Sequence, residues 1–367
     1  DIFVNKIEQG ESVYKLIRSL LFRLPAELSH DIALQAMSVG ERVGLLGILA
    51  AKTKKYAVPK TVMGIDFPHV VGLAAGLDKN ADYADALQAL GFGWLELGTV
   101  TPRPQPGNPK PRMFRLANER AIINRLGFNN KGIDHLLSRL ESRHRKGIVG
   151  VNIGKNADTP ISDANEDYLI GLRKSYSVAD YIAINISSPN TPGLRSLQYG
   201  EELDSLLSAL VSERTKLEKA HSRFVPLAVK LAPDMSEDEL KLCCSKLLAH
   251  EIEGVIATNT TFDRERVQGS NHATETGGLS GAPLTEKACA TLRQIKRLVG
   301  DNMAIIGVGG IMTASDAVAR LEAGADLVQL YSGFIYEGPA LIESALKEIS
   351  ATHSSSDKNS QRETNNG

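Results

Sequence analysis

The sequence predicts an α/β protein, a closed (β/α)8 TIM barrel preceded by a small N-terminal helical appendage. Three observations lead there. From Val58 onward, short β-rich apolar runs alternate with helical stretches, the pattern of a parallel sheet built from βα units. Eight such runs occur, near Val70 to Ala74, Gly93 to Leu97, Ile148 to Ile153, Tyr181 to Ile186, Pro226 to Leu231, Gly254 to Thr258, Ala304 to Val308 and Leu327 to Tyr331. Each is followed by a cluster of Gly, Asn, Lys, Ser or Thr, and in most cases then by a helical stretch, as barrel strands feeding their loops require. Eight units imply closure; an open doubly wound sheet is the alternative.

Upstream the period is helical. Val13, Leu16, Ile17, Leu20, Leu21 and Leu24 recur at helical spacing with Lys15, Arg18 and Arg23 among the remaining positions, a basic amphipathic helix over 12–24. A second helical stretch runs from Pro25, suited to a first turn, to Ala51, ahead of the basic linker Lys52 to Lys55. The chain thus divides into a helical segment 1–52, a barrel 53–350 and a polar tail 351–367, expected to be disordered because it has no apolar period.

Composition excludes several function classes. A formal net charge of −1 leaves no global footprint for nucleic acid, so an anionic ligand must be met by a local basic site. Cys243, Cys244 and Cys289 have neither a metal-binding spacing nor a disulfide framework, which points to a reducing compartment and no metal. The longest apolar stretch, Gly44 to Ala51, falls far short of the roughly 18 residues of a membrane span. No GxSxG elbow, HExxH helix or P-loop is present, and GVGGIM fails the dinucleotide fingerprint because Met312 stands at its last glycine position.

In a barrel of this kind the loops after the strands form one pocket. GLAAGLDKN, Gly72 to Asn80, combines small residues with Lys79. TVTPRPQPGNPKPR, Thr99 to Arg112, carries five prolines and reads as a stiff basic loop. INRLGFNN, Ile123 to Asn130, supplies three amides, the groups that read the edges of a planar heterocycle, although turn formation explains them too. VNIGKN adds Asn152. NISSPNTPG, Asn185 to Gly193, holds two serines between asparagines and prolines, which suits a hydroxyl fixed for chemistry as well as a simple turn. Lys230 lies within an apolar strand, a costly position unless it faces an anion or an electron-rich ring. ATNTT adds Asn259 and Thr260, and ETGGLSG, Glu275 to Gly281, reads as a flexible loop able to close over a ligand. GVGGI and YSGF end the last two strands, where glycine N–H groups and a helix start favour the phosphate of a mononucleotide such as FMN.

Taken together, GLAAGLDKN, GTVTPRPQPGNPKPR, INRLGFNN, NISSPNTPG, IATNTT, GGLSG, GVGGI and YSGF stand in the order and spacing of the class 2, quinone-dependent dihydroorotate dehydrogenases, which this chain resembles from about Leu24 to Glu348. The resemblance implies FMN-dependent oxidation of dihydroorotate to orotate in pyrimidine biosynthesis, with a membrane quinone as electron acceptor. It implies that Ala75, Gly76, Lys79, Thr99, Asn152, Asn185, Lys230, Thr258, Gly281, Gly310, Tyr331 and Ser332 hold FMN. For the pyrimidine it implies Lys79, Asn124, Asn185, Asn190, Asn259 and Thr260, together with the loop Arg125, Leu126, Gly127 and Phe128. Ser188 matches the base that takes a C5 proton while hydride leaves C6 for flavin N5; serine rather than cysteine here is the class 2 choice. A free hydroxyl is a weak base, so a relay through water and Thr191 is expected. His30 and Arg115 match a quinone tunnel.

The basic amphipathic helix agrees with docking on a membrane surface, although packing on the barrel would explain its stripe too. A peripheral, monomeric protein on the cytoplasmic side of a bacterial inner membrane is expected, with the mitochondrial inner membrane as the alternative if a targeting segment precedes Asp1. The rival readings are another FMN barrel acting on pyrimidines, which would usually present a cysteine acid, and a non-catalytic phosphate-binding barrel.

Overall fold

The computed structural model describes residues 14–144 and 147–364. Val13 of the expected first helix lies outside them. Three helices open the chain: α1 over residues 14–21, α2 Ala26–Arg42 and α3 Gly47–Lys54. The single helix expected from Pro25 to Ala51 is therefore two. Gly44, at φ +79°, breaks it: the Gly44 N–H bonds to the Glu41 carbonyl and that of Leu45 to Gly40, both at 2.9 Å, in a left-handed helix stop that glycine enters without strain. α3 also crosses the boundary expected at residue 52.

A hairpin, β1 Lys60–Val62 and β2 Ile65–Phe67, precedes the barrel. Along the chain then come β3 Val71–Leu73, α4 Ala84–Ala89, β4 Trp94–Val100, β5 Met113–Leu116, β6 Ala121–Asn124, α5 Ile133–Glu141, β7 Ile148–Ile153, α6 Ala164–Ser175 and β8 Tyr181–Asn185. The second half adds α7 Gly200–His221, β9 Leu227–Leu231, α8 Glu237–Ala249, β10 Gly254–Ala257, β11 Gly278–Gly281, α9 Thr285–Val299, β12 Ala304–Val308, α10 Ala314–Glu322, β13 Leu327–Leu330, α11 Ser332–Glu337 and α12 Ala340–Thr364. Strands β3, β4, β7, β8, β9, β10, β12 and β13 pair in that order, all parallel, and β13 returns to β3, so the barrel is closed. These are the eight runs expected, and the open sheet is excluded.

Burial on both faces explains why the runs are almost wholly apolar. Inside, large rings fit because their neighbours are glycines: a Cβ on Gly72 would lie 2.2 Å from the Trp94 ring, and one on Gly150 2.1 Å from that of Tyr181. Phe67 of the hairpin packs edge-on against Trp94 at 5.6 Å and closes the bottom. Further up, the interior turns polar, with Glu96, Asn152, Asn185, Lys230 and Gln329 buried.

Two further expectations are corrected. ETGGLSG is not a free loop: Gly278–Gly281 forms β11, which pairs antiparallel with β6 beside β5. Ladder hydrogen bonds offered by β6 settle a segment whose glycines favour no conformation of their own. The stretch 351–367, expected to be disordered, continues α12 as far as Thr364. No proline or glycine interrupts it between Ala340 and Asn366, so the helix propagates beyond its apolar turns.

Candidate active site

The barrel mouth encloses a cavity of about 940 Å³ including its opening. Strand ends position its walls. Of the residues expected to hold a flavin, Ala75, Gly76, Lys79, Thr99, Asn185, Lys230, Thr258, Gly310, Tyr331 and Ser332 line it. So do Asn124, Leu126, Gly127, Phe128, Asn190, Asn259, Thr260 and Ser188 of the pyrimidine and catalytic set.

Three expected residues stand off. Asn152 lies behind the wall: its Oδ1 accepts from the Thr99 hydroxyl at 2.6 Å and its Nδ2 donates to Glu96 at 2.8 Å. Gly281, at φ +94°, follows the lining residue Ser280; a Cβ there would meet the Arg120 carbonyl at 2.2 Å. The Arg125 side chain turns outward to Glu275 at 2.6 Å and the Pro111 carbonyl at 2.9 Å, so it supports the loop rather than a ligand.

A chain of amides and hydroxyls organises the floor. Asn185 Nδ2 donates to the Thr99 hydroxyl at 2.8 Å, and Asn259 Nδ2 donates to the Ser187 hydroxyl at 3.1 Å. Asn190 Nδ2 donates to Asn124 Oδ1 at 3.1 Å, joining the fourth barrel strand's loop to β6. Such pairing fixes which amide edge faces a ligand. Ser188 is 6% exposed, and its hydroxyl accepts from the Asn190 N–H at 3.2 Å. Thr191, 5% exposed, has a hydroxyl with no hydrogen-bond partner among the described residues.

Two lysines set the charge. Lys230 is buried, with Glu96 Oε1 at 4.0 Å as its ion-pair partner. Burial pushes its pKa below the usual lysine value while Glu96 pulls the other way. Lys79, half-buried, makes no direct ion pair with another described residue; burial lowers it to about 8, opposed chiefly by Glu27.

Several residues escaped the sequence reading. Glu96 Oε2 accepts from Tyr181 at 2.8 Å and from Gln329 Nε2 at 2.6 Å. Ser280 was missed too, and it shares a hydrogen bond with the expected residue Ser332 at 2.9 Å. Arg320, 1% exposed, reaches back from α10 to the carbonyls of Gly309 at 2.9 Å and Thr285 at 2.5 Å, and so holds the glycine turn after β12. The only signal for these was a polar residue at an inward position of an otherwise apolar element.

A second, mostly apolar cavity of about 670 Å³ lies between the N-terminal helices and the barrel. His30 and Arg115 line it with Leu21, Phe22, Met37, Leu77, Ile122 and Phe334. Burial, then the charge of Lys79, lowers His30 to about 4, so it is neutral at ordinary pH. The Arg115 guanidinium lies 4.5 Å from the Phe22 ring centroid and bonds to the Leu24 carbonyl. Among the described residues no helix is long and apolar enough to cross a membrane, and no cluster of metal-ligating side chains occurs.

Known proteins bear on this architecture. The family model described as Dihydroorotate dehydrogenase matches residues 57–352. A protein of Cellvibrio japonicus named dihydroorotate dehydrogenase (quinone) is 53% identical over 341 residues, covering 93% of this chain and 99% of its own length. One of the same name from Marinobacter nauticus is 51% identical over 337 residues, covering 92% and 98%. Among solved structures, that of DHODH from Eimeria tenella in complex with ferulenol is similar with a TM-score of 0.79 at 38% identity, covering 88% of this chain and 90% of that one. The chain belongs to the dihydroorotate dehydrogenase family.

Proposed function

We propose that the chain oxidises dihydroorotate to orotate with bound FMN and passes the electrons to a membrane quinone. Family membership carries the reaction. The observation that supports the reading in this chain is a pair of differently lined cavities that share one segment: Gly76 and Lys79 line the more polar one, and Leu77 between them lines the apolar one. A charged pyrimidine and a lipophilic quinone need two such environments around one redox centre.

FMN suits the larger cavity on its donor chemistry. Lys230 faces it without a hydrogen bond to another described residue, Gln329 Oε1 is buried without a partner, and Gly309 and Gly310 leave backbone where a Cβ on Gly310 would meet Thr285 at 2.4 Å. When bound there, FMN would supply the two-electron acceptor for the hydride of dihydroorotate C6 and the relay of those electrons to a quinone. Ala75, Gly76, Lys79, Thr99, Asn185, Lys230, Thr258, Gly310, Tyr331 and Ser332 hold it; Asn152 acts through Thr99, and Gly281 through the placement of Ser280. Lys230 supplies a preorganised positive charge toward the ring.

Lys79 meets the substrate carboxylate, and Asn124, Asn190, Asn259 and Thr260 read the ring edges, with Leu126, Gly127 and Phe128 as the covering loop. Ser188 Oγ takes the C5 proton. Water and Thr191, whose hydroxyl has no partner among the described residues, relay it outward. His30 and Arg115 line the quinone tunnel.

The chain docks peripherally, as a monomer, on the cytoplasmic face of a bacterial inner membrane, with the mitochondrial inner membrane as the alternative. Leu16, Leu20 and Val39 of the N-terminal helices, and Val43 and Leu45 of the turn after α2, are each more than half exposed, an apolar surface suited to the acyl boundary. The test is anaerobic reduction of the purified protein by dihydroorotate, then reoxidation by quinone, fumarate or NAD, with the flavin identified after release. Bleaching of the flavin followed by reoxidation with quinone alone is expected. Colourless protein that takes up no FMN, or preference for fumarate or NAD, overturns the reading.

A further inference from the structure

We infer that the Glu27–Arg112 ion pair is a positioning element that couples the N-terminal helices to the pyrimidine end of the active site. The inference rests on the proposed assignment of the larger cavity to dihydroorotate and orotate.

Glu27 stands in the first turn of α2, whose Ala26, Ser29, His30 and Ala33 line the apolar tunnel. Its side chain faces the other way. Glu27 Oε1 accepts from Arg112 Nε at 3.0 Å and from Nη2 at 2.7 Å. The Arg112 side chain is only 7% exposed, so this pair is largely shielded from water and screening.

Arg112 ends the proline-rich loop, whose five prolines remove backbone donors, although the Gln105 and Asn108 N–H groups still bond to the carbonyls of Asn130 at 3.0 Å and Leu126 at 3.1 Å. Side chains complete the bracing. Arg112 Nη1 donates to the carbonyls of Pro106 at 2.6 Å and Asn108 at 2.8 Å. Asn108 Nδ2 in turn donates to the carbonyls of Arg125 at 2.9 Å and Asn190 at 3.1 Å. Asn190 is paired with Asn124, and both line the cavity. Direct contacts thus run from Glu27 through Arg112 and Asn108 to the two amides that read the pyrimidine. There is little slack: a Cβ on Gly107 would lie 2.2 Å from the Leu126 carbonyl, and one on Gly127 2.8 Å from Asn108.

Glu27 also acts through space. It is the foremost negative charge opposing the loss of a proton from Lys79. Moving or neutralising Glu27 weakens the grip on orotate through the contacts, and near pH 8 it also reduces the charged fraction of Lys79. By linkage, a ligand that displaces α2 from the tunnel side changes orotate affinity, and orotate changes that ligand's affinity by the same factor.

The test measures orotate binding to the oxidised FMN holoenzyme by the perturbation of the flavin spectrum, with no acceptor present. Glu27→Gln is expected to raise the orotate Kd by about 3- to 30-fold, the range for coupling through one contiguous network. Arg112→Lys, which keeps the charge but loses the forked contacts, should do the same. In the Glu27→Gln, Arg112→Lys double variant the two losses should not multiply. Orotate Kd values within twofold of wild type in both single variants, or fully multiplicative losses in the double, overturn the inference. A variant in which Kd is unchanged while only quinone reoxidation slows also overturns it, because that is the signature of a purely local tunnel role. Should Glu27→Gln fail to fold, Arg112→Lys alone decides. Failure of the underlying assignment is distinguishable, since the wild-type holoenzyme would then show no spectral response to orotate at all.

Discussion

Lys230 Nζ and Glu96 Oε1 lie 4.0 Å apart inside the barrel, both nearly sealed from solvent, and the carboxylate also receives hydrogen bonds from Asn152, Tyr181 and Gln329. One carboxylate therefore anchors the polar layer of the barrel interior, next to the proposed flavin site. Glu96→Ala would strand Lys230 and three donors, a loss of roughly 3 to 5 kcal/mol by analogy with broken buried pairs. Chemical denaturation of the purified variant checks this; a loss under 1 kcal/mol, on the order of a surface change, would contradict the role. Lys230→Met should fold but bind flavin weakly.

Ser188→Ala should slow flavin reduction by dihydroorotate by roughly 10² to 10⁴ while FMN remains bound, the range for losing a general base. Stopped-flow bleaching of the flavin under anaerobic conditions reads it directly. Reduction at a near-wild-type rate would remove Ser188 from the mechanism. Thr191→Val should slow the same step less severely, since a relay can be bypassed by water.

The lowered pKa of Lys79, about 8 in the ligand-free protein, fixes a pH window. Below it the ammonium is present and, on the proposed assignment, meets the orotate carboxylate; above it the charge is lost. Orotate affinity should be level up to about pH 8 and then fall, approaching about tenfold per pH unit. Lys79→Met should abolish that fall. Affinity unchanged to pH 10 would exclude Lys79 as the carboxylate partner.

His30 behaves oppositely. Its folded-state pKa, about 4, lies below the ordinary 6.5, so the unfolded chain binds its proton first as pH drops. The stability contribution of neutral His30 is complete above pH 6.5 and is lost as pH falls toward 4. His69 is lowered to about 4 as well, so the check is a difference: thermal unfolding of wild type against His30→Gln across that window should show a shallower decline in the variant. Parallel curves would mean that His30 is protonated in the folded protein.

Leu16 and Leu20, 64% and 55% exposed, lie on the outer side of α1, away from the barrel. Leu16→Glu combined with Leu20→Glu should reduce co-sedimentation with lipid vesicles while leaving flavin reduction by dihydroorotate unchanged. Undiminished sedimentation would place the docking surface elsewhere.

Much of the barrel was legible because a strand buried on both faces must be an apolar run, and all eight runs agree with the strands to within three residues at either end. The loop motifs identified the cavity's lining nearly residue by residue, since hydroxyls and amides after a strand have nowhere to project but the mouth. Depth was not legible. Asn152 and Thr99 both lie near the carboxyl ends of the neighbouring strands β7 and β4, yet one supports the wall and the other forms it, because strand twist and stagger decide how far up each side chain sits.

By itself, then, the sequence determined the class of fold, the family and the set of residues around the polar cavity, all of which follow from local pattern and order along the chain. Tertiary structure decided what depends on distant pairing. ETGGLSG became a strand because β6 offered it a ladder, Glu96 became the hub of a buried layer because four strands deliver their polar groups to it, and Glu27 met Arg112 across 85 residues of chain. Such contacts have no period and no motif, because the free energy that selects them exists only once the elements are packed.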